Sequence, residues 1–250
     1  MTRPCLLLCA ALALLSPLRA QEGTPPASEP SSFASKSIDE MSADEVLKLV
    51  RLSYTLYDRD FTGMLRMGLT KKVPFRLSLK PEAISFLFNE PAQLIHLDTR
   101  NQRFALFEGV GGAQTKPVPP AKYGEPVRGT DITYDDLSMR FLYWPNARIV
   151  RQEKLKGRDC IRVSIRNPDG AGLYSSVEVW IDKISGGMLK MIGRDRASRP
   201  IRRFEVLSGK KFGDIWMVDE MRIETITGAV GASDGTVKSS TRMQIQALAN

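Results

Sequence analysis

The sequence predicts an α+β fold in which a large, curved antiparallel sheet carries helices over one side. Three observations predict it. After Asp58, apolar and polar residues alternate with a period of two along most of the chain, the mark of strands with one face buried. Two segments have the length and apolar spacing of a helix. No helix-length segment separates the later strands, which excludes the crossovers of a parallel sheet.

The first helix is expected to start at Ser42. Ser42 and Glu45 have capping-box spacing, and Val46, Leu47, Leu49, Val50 and Leu52 give an apolar face through about Tyr57. Strands follow. Phe75, Leu77 and Leu79 alternate with Arg76, Ser78 and Lys80. Ile84, Phe86 and Phe88 form a second set, Ile95 and Leu97 flank His96, and Phe104 and Leu106 flank Ala105. Lys80-Pro81, Asn89-Glu90-Pro91 and Arg100-Asn101 supply turns at hairpin spacing. Residues 109–126 are rich in Gly and Pro and read as a long loop. Thr130 or Asp131 is expected to open a second helix running to about Tyr143, with Trp144-Pro145 closing it. Alternation then returns at Arg148, with Ile161, Val163 and Ile165 in one strand and Val177, Val179 and Ile181 in the next. Further strands are expected at 188–192, 204–207, 215–226 and 242–248. The order is helix, meander, helix, meander.

The chain opens Met-Thr-Arg, continues with apolar residues from Cys5 to Leu15, and reaches Ser16-Pro17 and then Ala20 before Gln21. That is the layout of a secretory signal peptide (1–20) cleaved after Ala20, too short to span a bilayer. Residues 21–37 are rich in Pro, Ser, Ala and Glu and read as a disordered tether. A single domain is expected over 38–250. After cleavage Cys160 is the one cysteine left, so no internal disulfide is expected. Its alternating surroundings place it as a half-buried strand residue. Losing Arg3 and Arg19 with the leader takes the formal charge from +8 to about +6. For an exported protein that excess points to an anionic membrane surface rather than nucleic acid, or to a merely basic surface.

The chain lacks most catalytic and metal-binding vocabulary. His96 is the sole histidine, which removes a histidine-ligated metal cluster and weakens any Ser-His scheme. Gly109-Val110-Gly111-Gly112-Ala113-Gln114 lacks the Gly-Lys-Ser/Thr of a phosphate loop. Asp131, Asp135 and Asp136 sit where carboxylates favour the positive end of a helix, and need no metal to explain them. The basic runs at 154–158 and 194–203 read as hairpin tips without the interleaved aromatics of a nucleic-acid surface. No cofactor, metal site or catalytic residue is expected.

Methionines instead recur on or beside the strands: Met64, Met67, Met188, Met191, Met217, Met221 and Met243. Flexible, polarizable side chains suit surfaces that accept varied apolar guests, though methionine also fills ordinary cores. Phe75, Leu77, Leu79, Phe86 and Phe88, with Met188, Met217 and Met221, are expected to face one groove for acyl chains. Tyr134, Leu137 and Phe141 are expected to form a lid across it.

The run Gly129-Thr130-Asp131-Ile132-Thr133-Tyr134-Asp135-Asp136-Leu137 resembles the Gly-Ser/Thr-Asp-Phe-Ser-Tyr-Glu/Asp-Asp-Leu segment of the outer-membrane lipoprotein-sorting-protein-like family. Gly157-Arg158-Asp159-Cys160, and Val179-Trp180-Ile181-Asp182 followed by Met188-Leu189-Lys190, also resemble that family. The resemblance covers most of the chain after Ser37. It implies a half-open β-barrel with helices at its mouth, a bacterial periplasmic location, and lipid or lipoprotein acyl chains as cargo. An envelope docking or sensory domain on the same half-barrel is the alternative. A hydrolase is a third reading, disfavoured by the single histidine.

Overall fold

Ser42 caps the first helix as its spacing predicts. Its hydroxyl accepts from the Glu45 amide at 3.3 Å, and the Glu45 carboxylate accepts from the Ser42 amide at 2.7 Å. Helix α1 (Ala43–Thr55) buries Val46, Leu47 and Val50 completely. In this computed structural model residues 37–55, 58–100, 104–213 and 215–248 are described. The expected leader and all of the expected tether except Ser37 lie outside the described residues.

Thirteen strands form one antiparallel sheet. The first meander is β1 (Arg59–Met67), β2 (Lys71–Lys80), β3 (Ala83–Phe88), β4 (Gln93–Asp98), β5 (Ala105–Val110) and the short β6 (Lys116–Pro117). The second is β7 (Arg148–Leu155), β8 (Arg158–Arg166), β9 (Ser176–Asp182), β10 (Met188–Arg194), β11 (Pro200–Phe212), β12 (Ile215–Thr227) and β13 (Thr236–Leu248). Every pairing is between neighbours in sequence except one: β1 pairs with β13, joining the two meanders back to back. The sheet stays open, with β6 and β7 as its edges.

The inner face holds the residues that the period of two selects, including Phe75, Leu77, Leu79, Ile161, Val163, Ile165, Val177 and Val179, all buried. At Gly63 the phenyl ring of its cross-strand partner Phe75 occupies the space a side chain would take, a contact that a Cβ would enter at 2.3 Å. The outer face is crossed by ion pairs. Arg162 reaches Glu178 at 2.8 Å and Glu153 at 3.6 Å, Arg194 reaches Glu178 at 3.0 Å, and Arg203 reaches Glu224 at 2.5 Å. Much of the arginine excess is therefore engaged along the strands, and Arg202, expected at an exposed tip, is buried.

Several expectations are corrected. The second helix does not run from 130 to 143. It is the five-residue α2 (Tyr134–Ser138), capped by Thr133 and Asp136, and it breaks at Met139 in a left-handed conformation (φ 45°) before a 3-10 turn over Arg140–Tyr143. Among the described residues there is thus one substantial helix rather than two. The break follows from tertiary demands: Arg140 must turn to bind Asp135 and the Ala171 carbonyl, and buried partners outweigh helix continuity. The loop at 109–126 contains the end of β5, β6 and a 3-10 turn at Pro120–Lys122. Strands β11 to β13 are thirteen residues each, longer than the apolar runs within them. Cys160 is fully buried, not half-buried, against Trp180, Ile192 and Ile226, and burial pushes its thiol pKa up.

Candidate functional site

A cavity of about 770 Å³ lies against the inner face of the sheet. Leu77, Leu79, Ile84 and Phe86 from β2 and β3 line it, as do Met188 and Leu189 from β10 and Phe204 and Val206 from β11. Seven strands in sheet order lie from β3 to β10, so the sheet must curl for both groups to face one space. Met217, Met221 and Ile223 of β12 and Met243 and Ile245 of β13 form the floor between them. Ile132, Leu137 and Met139 border the cavity from the α2 region and Ser53 from α1.

Of the expected groove residues, Leu77, Leu79, Phe86, Met188, Met217 and Met221 are brought together on this wall. Phe75 and Phe88 are not part of it. Phe75 packs between the two other rings, its centroid 5.9 Å from that of Phe86 and 6.2 Å from that of Phe88, and the Arg128 guanidinium covers Phe88. Of the expected lid residues only Leu137 reaches the cavity. Tyr134 is held elsewhere by Glu108 and by Gln93 at 3.0 Å, and its hydroxyl pKa is pushed up to about 12 by burial and by the Glu108 carboxylate. Phe141 is fully buried in the core. Met64, Met67 and Met191 do not line the cavity, whereas Met139 does. Met139 was hidden because a continuous helix would have turned it differently. Trp216, inside the strand expected at 215–226, and Ile184, in the turn after β9, also line the cavity although the sequence did not single them out.

The α2 region is pinned to both halves of the sheet. Asp131 accepts from Thr225 at 3.1 Å, from Thr241 at 3.0 Å and from Ser239. Asp135 accepts from Arg140 Nε at 2.5 Å and from the Leu173 amide at 2.6 Å. Asp136 accepts from the Thr133 amide at 2.8 Å and from the Tyr174 hydroxyl, and faces Arg202 Nε at 3.4 Å. Burial raises the Asp136 pKa, opposed by Arg202 and these donors. The three aspartates do more than meet a helix dipole: they tie α2 to strands β11, β12 and β13 and to the loop before β9.

Charge is scarce on the cavity wall. Asp136 and Arg158 are its charged residues, and both are occupied. Arg158 forms a two-pronged pair with Asp182, Nε at 3.0 Å and Nη2 at 2.7 Å. Asp182 is fully buried. Burial pushes its pKa up, but Arg158 and the Ser185 hydroxyl and amide outweigh it and hold the pKa at about 2. A depressed carboxylate stabilises the fold above its unfolded pKa of about 3.9 and loses that contribution as pH falls through the folded value. Asp182→Asn is therefore expected to be less stable than wild type at pH 7, with the gap closing as pH falls from about 4 towards 2. Urea melts of both proteins at several pH values check this, and a constant gap would show that Asp182 acts through packing alone.

His96 Nδ1 contacts Ser85 Oγ at 2.8 Å, but the two are a cross-strand pair that does not border the cavity. No group of three or more His, Cys, Asp or Glu able to hold a metal ion occurs among the described residues. No helix among them is long and apolar enough to cross a membrane.

An open antiparallel sheet curled around an apolar interior defines a class, and solved structures share it. A putative outer membrane lipoprotein-sorting protein domain from Vibrio parahaemolyticus matches with a TM-score of 0.63 at 18% identity, over 83% of this chain and 92% of that one. A LolA superfamily protein from Nitrosomonas europaea matches at 0.59 and 12% identity, over 83% and 93%. A DUF1329 family protein from Desulfovibrio piger matches at 0.55 and 15%, over 83% and 92%. The fold is thus that of the outer-membrane lipoprotein-sorting-like proteins. A family model described as an uncharacterized protein matches residues 113–248, more than half of the chain, and the chain belongs to that family. No curated protein matches the chain.

Proposed function

We propose that this protein is a non-catalytic carrier of the bacterial cell envelope, exported to the periplasm after cleavage at Ala20, that holds lipid or lipoprotein acyl chains in the curled sheet. One observation carries the reading: the cavity wall is apolar apart from Asp136 and Arg158, which have charged partners, and Ser53 and Ser185, whose hydroxyls already donate to the Val50 carbonyl and to Asp182. A charged or strongly polar guest would find no free partner there and would lose its hydration for nothing. An acyl chain gains about 0.8 kcal/mol for each methylene it buries. The volume falls within the range of about 300–1,000 Å³ usual for small-molecule sites. Five methionines on the wall, Met139, Met188, Met217, Met221 and Met243, suit chains of varied length and unsaturation.

In this reading α1 and α2 cover the mouth unequally. Leu137 touches the cargo, and Tyr134 and Phe141 hold α2 in place. With its anchors on both halves of the sheet, α2 acts as a brace. Native mass spectrometry of protein purified from an envelope fraction tests the proposal. Adducts of lipid mass are expected, and their release should free the protein to bind a fluorescent fatty-acyl probe. Protein of bare mass that also ignores the probe would overturn the carrier reading.

A further inference from the structure

The end of the cavity bordered by hairpin tips has an unusual rim. Because β7 to β12 run antiparallel in sequence order, the tips of β7–β8, β9–β10 and β11–β12 lie at the same end of the sheet. Two large apolar side chains stand in solvent there. Ile184, between β9 and β10, is 89% exposed, and Trp216, near the start of β12, is 70% exposed. Single exposed apolar residues are ordinary on a protein surface. These two are different because both also line the cavity, so the exposed apolar surface is continuous with the interior.

The same tips are basic. Lys154 and Lys156 are paired with Asp159 and Glu205, and Lys183 with Asp39. Lys210 and Lys211, at the end of β11, are exposed and form no ion pair among the described residues, with Lys210 lying 5.4 Å from the Phe212 ring centroid. Of the acidic groups at these tips, Asp159 and Asp182 are engaged with Lys154 and Arg158, and Asp214 lies outside the described residues.

The geometry points to this rim as a docking surface for an anionic lipid membrane, with Trp216 and Ile184 entering the headgroup layer and Lys210 and Lys211 meeting its charge. Tryptophan favours that layer because its ring is apolar and its indole N–H is a donor. Lysines near such a surface each add attraction that salt screens. The opposite end of the sheet also exposes apolar side chains, Leu69 (98%) and Val230 (70%), but neither borders the cavity. The inference rests on the carrier reading for its purpose, exchange of an acyl chain directly with the bilayer.

Vesicles of phosphatidylglycerol mixed with phosphatidylcholine, and of phosphatidylcholine alone, test it with protein purified from an envelope fraction. Trp144 and Trp180 are buried, so a blue shift of tryptophan emission reports Trp216. The shift and co-sedimentation are expected with the anionic vesicles and should fade with salt. The Lys210→Glu, Lys211→Glu double variant is expected to partition about tenfold or more weakly while binding the fatty-acyl probe as wild type does. Trp216→Ser should lose the shift, and Leu69→Ser should change nothing. Failure of the wild type to bind anionic vesicles, or equal loss in Leu69→Ser, overturns the docking surface. Probe binding without vesicle binding would leave the carrier reading standing. Vesicle binding without probe binding would leave the docking surface standing and remove the carrier.

Discussion

Met217→Asp is expected to weaken binding of a fluorescent fatty-acyl probe by at least about tenfold, the equivalent of about 1.4 kcal/mol. Met217 lies on the cavity floor, half-buried, so the aspartate can reach water in the free protein and the fold should survive. Cargo then has to strip that water from a carboxylate without a partner, at a cost of several kcal/mol. Leu79→Asp should act in the same way wherever circular dichroism shows it folded, although Leu79 is more deeply buried. Arg76→Glu is the control: Arg76 is exposed and does not border the cavity, and an exposed charge there contributes about 0–1 kcal/mol at most. Folded Met217→Asp protein that binds the probe as wild type does would defeat the acyl-chain reading, and loss confined to Arg76→Glu would move recognition to the outer surface.

Asp136→Ala is expected to cost about 3–5 kcal/mol of stability. The substitution leaves Arg202 buried without its facing carboxylate and strips the Thr133 amide and Tyr174 hydroxyl of their acceptor. Against a total of about 5–15 kcal/mol for a domain, such a loss lowers the melting temperature by about 10 °C. The combination Asp136→Leu with Arg202→Met removes both charges, and should recover much of the loss, because a buried pair replaced by apolar residues is often tolerated. Thermal melts of the single and double variants decide the matter. A single variant within 1 kcal/mol of wild type, or a double variant no better than Asp136→Ala, would show that the network does not brace α2.

The sequence by itself determined the local structure. Ser42 and Glu45 announced α1, and the period of two placed strands β2 to β5 and β8 to β10, because which face of a strand is buried is written in every second residue. The antiparallel arrangement followed from the lack of room for crossovers. Six of the eight residues expected in the groove, Leu77, Leu79, Phe86, Met188, Met217 and Met221, line the cavity, because the period of two puts them on the inner face. The tertiary structure decided the rest. Alternation says which face is buried but not what covers it, so Phe75 and Phe88, on strands that do border the cavity, went to the core beside it instead. The pairing of β1 with β13 joins residues at opposite ends of the chain, and no local pattern records it. The second helix was read as continuous because its apolar spacing is helical. It breaks at Met139 because Asp135, Asp136 and Arg140 have buried partners at Leu173, Tyr174, Arg202 and Ala171. Those partners lie more than thirty residues away, where propensity cannot see them and where a buried charge, needing its counter-charge, overrides it.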